Sequence, residues 1–190
     1  MLGLLVPTDP RWVEVALGDF DAVLLDHLHC ELKAASNAMA IVARHPTNAR
    51  LVRELTALAR EELEHVLQVH ERVVSRGIAP RPPDRDPYAA ALRQASALRG
   101  SDPRVDRLLV AALIEARSCE RFSLLREHAP TDDLRTWYAA LFESEARHYR
   151  LFASLAEDVV GADRARERLA QLAEHEAVIV QELPLLARVH

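Results

Sequence analysis

The stretch LVRELTALAREELEHVLQVHERV, residues 51–73, decides the secondary structure and raises the chemistry at the same time. Leu51, Leu55, Leu58, Glu62, His65, Val69 and Val73 follow one another at steps of three and four. That is the spacing of one face of an α-helix, and its apolar residues make it a core face. Glu62 and His65 lie within it. An ionised carboxylate in a core is costly unless something compensates it.

The same pattern returns in LRTWYAALFESEARHYRLFASL, residues 134–155, where Leu134, Tyr138, Leu141, Glu145, His148, Phe152 and Leu155 share a face. Two further stripes each carry one acid. Phe20, Leu24, His27, Glu31, Ala34, Ala38 and Ile41 form the first; Val105, Leu108, Ala112, Glu115, Cys119 and Phe122 form the second. No lysine or arginine stands on these stripes near the four acids. Two divalent cations would neutralise four carboxylates, and two imidazoles would complete their coordination. Mixed oxygen and nitrogen donors suit iron or manganese.

Punctuation sets the order of the helices. Asp19 is the expected N-cap of a helix reaching about Arg44, where Pro46 ends it. Thr47 is the expected cap of the next helix, which runs to about Arg76 with Gly77 as the left-handed stop. Pro80, Pro82, Pro83 and Pro87 mark a crossover with a short helix near Tyr88–Leu98. Asp102-Pro103 opens a third long helix to about His128, and Thr131 opens a fourth to about Val160. A last helix is expected over about 163–187, and the segment before Asp19 has room for a helical turn or two. Two tight hairpins joined by one long crossover are the ferritin-like four-helix plan. The chain is therefore expected to be all-α, a single domain over 1–190 with its core bundle at about 19–160.

The heights agree with this plan. Glu31 and Glu62 lie 15 and 16 residues either side of Pro46, and Glu115 and Glu145 both lie 15 from Pro130. Each pair therefore stands at nearly equal height above its turn. Each half reads Glu, turn, Glu-x-x-His, and the i,i+3 spacing puts glutamate and histidine on one helix surface. Glutamates 61, 64, 120 and 143 fall off the stripes and are expected in solvent or in surface pairs. Tyr138 and Cys119 read as packing. His27, one turn before Glu31, reads as a satisfied core histidine or as a group supporting Glu31.

Composition excludes other classes. With 49% apolar and 28% charged residues and only 5 glycines, the 190-residue chain is globular and helical rather than disordered or β-rich. It has no run of about 18 apolar residues, so no membrane span is expected. Two cysteines make no disulfide framework, and the expected compartment is the cytoplasm. The net charge of −5 gives no global basic field.

Five blocks carry a family resemblance: LVPTDPRWVEVAL (5–17), DHLHCELKAASNA (26–38), LAREELEHVLQVHERVVSRGI (58–78), LLVAALIEARSCERF (108–122) and ESEARHYRLFASLA (143–156). Together they make the chain resemble the MiaE family, non-haem di-iron tRNA hydroxylases, from about Leu4 to Glu157. The blocks CELKAA and IEARSCERF are more specific than the Glu-x-x-His pairs. The resemblance implies iron ligands at Glu31, Glu62, His65, Glu115, Glu145 and His148, the six residues that the stripes supply. It implies two iron ions, dioxygen and an external electron donor. The implied reaction is hydroxylation of the isopentenyl side chain of 2-methylthio-isopentenyl-adenosine beside the anticodon. The ligand set alone also fits a ferroxidase or an iron/manganese store. An RNA substrate directs attention to residues 76–107, with seven arginines against four acids. Arg81 and Arg85 are the expected contacts with the anticodon arm, and His27 and Phe20 are placed towards the entrance for the nucleoside. The oligomeric state is left open.

Overall fold

The computed structural model describes residues 2–83, 85–97 and 102–190. Among them are seven helices and no strand: α1 (Arg11–Gly18), α2 (Phe20–Arg44), α3 (Ala49–Ser75), α4 (Pro87–Ser96), α5 (Pro103–His128), α6 (Asp132–Val160) and α7 (Ala162–Glu182). The order is the expected one, hairpin, crossover, hairpin and final helix, preceded by α1. None of these helices is long and apolar enough to cross a membrane.

The helices fall into two compact units. One is the α2–α3 hairpin, Gly18–Arg85 with Ala187–Val189. Asp19 caps α2 by accepting from the Ala22 N–H at 3.1 Å. The cap of α3 is Asn48, which accepts from the Leu51 N–H, and not the expected Thr47. The Asn48 N–H bonds back to the His45 carbonyl at 3.1 Å, so Thr47 is consumed inside the turn and α3 begins one residue later. At the other end, Ile78 N–H reaches Val73 O and Gly77 N–H reaches Val74 O, with Gly77 at φ +75°. This is a Schellman stop, which a left-handed glycine makes possible. Leu51, Leu55, Leu58, Val69 and Val73 are buried on α3 as the stripe requires; on α2, Ala35 rather than Ala34 is buried. Each fully buried leucine or valine contributes roughly 1.5–3 kcal/mol.

The second unit is Met1–Leu17, Asp86–Leu186 and His190. Asp102 caps α5 above Pro103, and Thr131 caps α6. In α4, Asp86 caps ahead of Pro87, and the helix ends at Ser96; the expected end at Leu98 lies outside the described residues. Helix α7 runs over Ala162–Glu182 and not about 163–187. Gly161, at φ +85°, ends α6 and starts α7 without a spacer, and Pro184 stops the helix early. Helix α5 is buried nearly all round from Val105 to Leu125 and packs against α4, α6 and α7.

Here lies a charged group that the stripes did not announce. Arg117 is fully buried and pairs with fully buried Glu176 at 2.8 Å. Tyr88 donates its hydroxyl to Glu176, and Arg117 also donates to Thr8 Oγ1, the Val6 carbonyl and Glu120. Glu120, expected at the surface, is thus drawn half under cover, bonded to Arg117 and Thr8. One guanidinium fastens the N-terminal segment and α7 to α5, with α4 joined through Tyr88.

Candidate metal centre

Within the α2–α3 hairpin, Glu31, Glu62 and His65 each offer a donor atom, all within 4.8 Å of one another. All three are buried. His65 Nδ1 stands 3.1 Å from Glu62 Oε2 and 3.6 Å from Glu31 Oε2. The other oxygen of Glu31 is taken by His27, whose Nε2 lies 2.6 Å from Oε1. His27 is fully buried, so an ionised Glu31 receives its hydrogen bond in a dry setting, where such bonds are strong.

The second unit repeats the arrangement. Glu115 on α5 and Glu145 and His148 on α6 are buried and offer donor atoms within 4.8 Å of one another. His148 Nδ1 is 3.7 Å from Glu145 Oε2. Ser144, buried one turn before His148, places its hydroxyl 3.5 Å from His148 Nε2. Ser144 lies off the apolar stripe, and its only signal in the sequence is the i,i+4 step to His148. At the position matching His27, four residues before the glutamate, this half has Ala111.

The electrostatics test whether a metal suits these donors. Burial by itself works against a charged His65, yet the hydrogen bonds and charges of Glu31 and Glu62 outweigh it. They raise its pKa from 6.5 to about 10. The imidazole thus holds a proton where the two carboxylates lack a cation. Two carboxylates and one imidazole per triad are an oxygen-rich, nitrogen-containing donor set that fits a divalent transition metal. Burial, then the charges of Glu145 and Glu115, push the Cys119 thiol well up, and its Sγ–H points at the Phe142 carbonyl. Tyr138 is fully buried between Trp137 and Phe122.

Phe20, Arg81 and Arg85 are not among the donor groups. Phe20 is buried under the Arg76 guanidinium, 5.8 Å from its ring centroid. It stands eleven residues, about 16 Å, along α2 from Glu31. Arg81 and Arg85 are exposed on the crossover. Asp84 and Arg99, counted in its charge balance, fall outside the described residues.

Residues 2–190 match the family described as tRNA-(MS2IO6A)-hydroxylase (MiaE). A Pseudomonas putida protein named tRNA 2-(methylsulfanyl)-N(6)-isopentenyladenosine(37) hydroxylase is 42% identical over 176 residues, covering 90% of this chain and 84% of its own. A Salmonella typhimurium protein of the same name is 28% identical over 225 residues, covering 92% and 82%. Among solved structures, a Synechococcus protein described as having aldehyde deformylating oxygenase activity superposes with a TM-score of 0.90 at 40% identity, over 98% of this chain and 94% of that one. The all-α, ferritin-like plan expected from the helix order is the fold of this chain.

Proposed function

The chain belongs to the MiaE family of tRNA hydroxylases, and from that premise we propose that it is a di-iron enzyme, with both triads as its metal donors, that hydroxylates the isopentenyl group of 2-methylthio-isopentenyl-adenosine in tRNA. The observation that carries this reading is the repeated burial of Glu, turn and Glu-x-x-His in both hairpins. Four buried carboxylates without cations would be strongly destabilising, and two divalent ions remove that cost. When bound, the two irons supply the electrons and open positions for dioxygen activation, with an external donor restoring their reduced state.

The chain's own groups have definite tasks. Glu31 is held by His27 through Oε1, which leaves Oε2 to a metal. Glu62 and Glu145 sit in the Glu-x-x-His turns, and His65 and His148 provide the nitrogen donors. The buried apolar residues of the stripes keep bulk water from the reacting C–H bond. The modified adenosine leaves its stack in the anticodon loop when it reacts, so that its side chain can enter the protein. His27 and Phe20 lie towards its approach, and Arg81 and Arg85 meet phosphates of the anticodon arm. A tRNA substrate supports a cytoplasmic location.

The test is nucleoside analysis of tRNA from cells lacking the gene. Loss of the hydroxylated nucleoside, restored by the wild-type chain and not by Glu115→Ala, supports the reading. An unchanged nucleoside profile in the deletion rejects it. Iron storage as the main role predicts the same unchanged profile.

A further inference from the structure

The α2–α3 turn carries charge of one sign. From Leu32 to Arg53 the chain holds Lys33, Arg44, Arg50 and Arg53 and no Asp or Glu, in a protein of net charge −5. Three of these cations collect at one end of the hairpin. Arg44 is the last residue of α2, His45 follows as its cap, and Arg50 and Arg53 begin α3. Arg44 and Arg53 are exposed. Arg53 reaches Glu54 at 2.9 Å, but its side chain remains 70% accessible, and such a surface pair contributes little.

The hairpin geometry does not demand this pattern. The equivalent turn of the second repeat, residues 126–135, mixes Arg126 and Arg135 with Glu127, Asp132 and Asp133. The first turn of α3 contains no acid and does contain Arg50, against the preference set by the helix dipole. Arg50 is therefore mildly unfavourable to α3, whereas Arg44 in the last turn of α2 suits that helix's dipole, and the one-signed charge of the turn suits a polyanion. At 1.5 Å per residue the turn lies about 20 Å along the hairpin from Glu31 and Glu62. A ligand seated there reaches the metal donors only if it is long, as a nucleic acid strand is.

We propose that the α2–α3 turn, through Arg44, Arg50 and Arg53, docks the phosphate backbone of the RNA substrate at a distance from the nucleotide being modified. The proposal rests on the tRNA reading above and adds a second contact surface to the crossover. Arginine suits the role because its planar fork takes phosphate oxygens in pairs.

The test uses the metal-loaded, full-length chain and a fluorescent anticodon stem–loop carrying the modified adenosine, titrated between 50 and 200 mM salt. Arg44→Glu/Arg53→Glu is compared with Arg81→Glu/Arg85→Glu and with the milder Arg44→Gln/Arg53→Gln. Metal content and helicity report that each variant is folded. The expected result is a loss of affinity of about tenfold or more for the turn reversal at low salt. Its salt slope should flatten by about 1.4–1.8, the value for two lost phosphate contacts. The glutamine pair should flatten the slope equally with a smaller loss of affinity. Unchanged affinity and slope in both turn variants overturn the proposal. So does a loss confined to the crossover variant, or weakened binding of an acidic electron-donor protein with RNA binding intact. Failure of the wild type to bind the stem–loop defeats the tRNA reading itself, which keeps the two failures distinguishable.

Discussion

Metal loading should expel a proton from His65. In the metal-free chain this imidazole keeps its proton up to about pH 10, because Glu31 and Glu62 hold it against the effect of burial. A metal accepts only the neutral ring. At pH 7 the competing proton is about three pH units below its release point, so it weakens observed metal affinity by about a thousandfold, about 4 kcal/mol at 1.36 kcal/mol per unit. Affinity should rise by about tenfold per pH unit as pH approaches about 10 and flatten above it. The metal-free fold shows the opposite trend. The His65 pKa is raised on folding, so its stabilisation is complete below pH 6.5 and fades as pH climbs through about 10. The assay is anaerobic calorimetry with ferrous or manganous ion in buffers of different ionisation enthalpy, which counts protons released. At least one proton should leave per loaded chain at pH 7.5, and His65→Gln should lower the count by one. A count of zero with affinity independent of pH would refute the reasoning.

Glu176→Ala should cost about 3–5 kcal/mol in urea or thermal unfolding, because it leaves buried Arg117 with Glu120 as its remaining carboxylate and takes the acceptor from buried Tyr88; a cost below about 1 kcal/mol contradicts the buried pair. Asn48→Ala should cost about 1 kcal/mol through the lost cap, and Thr47→Ala much less; equal costs would argue against Asn48 as the cap. Cys119 should resist alkylation in the native chain at pH 8 and react after unfolding, since burial and the neighbouring acids keep it a thiol; rapid native labelling would contradict this.

The long helices and the burial of Glu31, Glu62, His65, Glu115, Glu145 and His148 were legible in the sequence because their signals are local. A proline, a left-handed glycine or an Asp-Pro pair marks an end, and an acid inside an apolar stripe stands out within two turns. Thr47 and Asn48 are both competent caps, and only the turn closed at His45 decides between them. Arg117 and Glu176 stayed hidden for a different reason. They are 59 residues apart, and each looks like an ordinary surface charge until α5 is enclosed on every side. Glu120 was misplaced by the same assumption. A position off the stripe means solvent for a one-sided helix, but α5 has almost no outer face. His27 was visible one turn before Glu31; its bond to Oε1 depends on the two rotamers, which no sequence pattern sets.

Both triads are expected to bind iron, and the most direct measurement is iron per chain after anaerobic ferrous loading, with Mössbauer spectra of the product. Two irons per chain in a coupled pair, lost when either Glu62 or Glu145 is replaced by alanine, is the predicted result. One iron or none in the wild type, or two retained when both glutamates are removed, would contradict it.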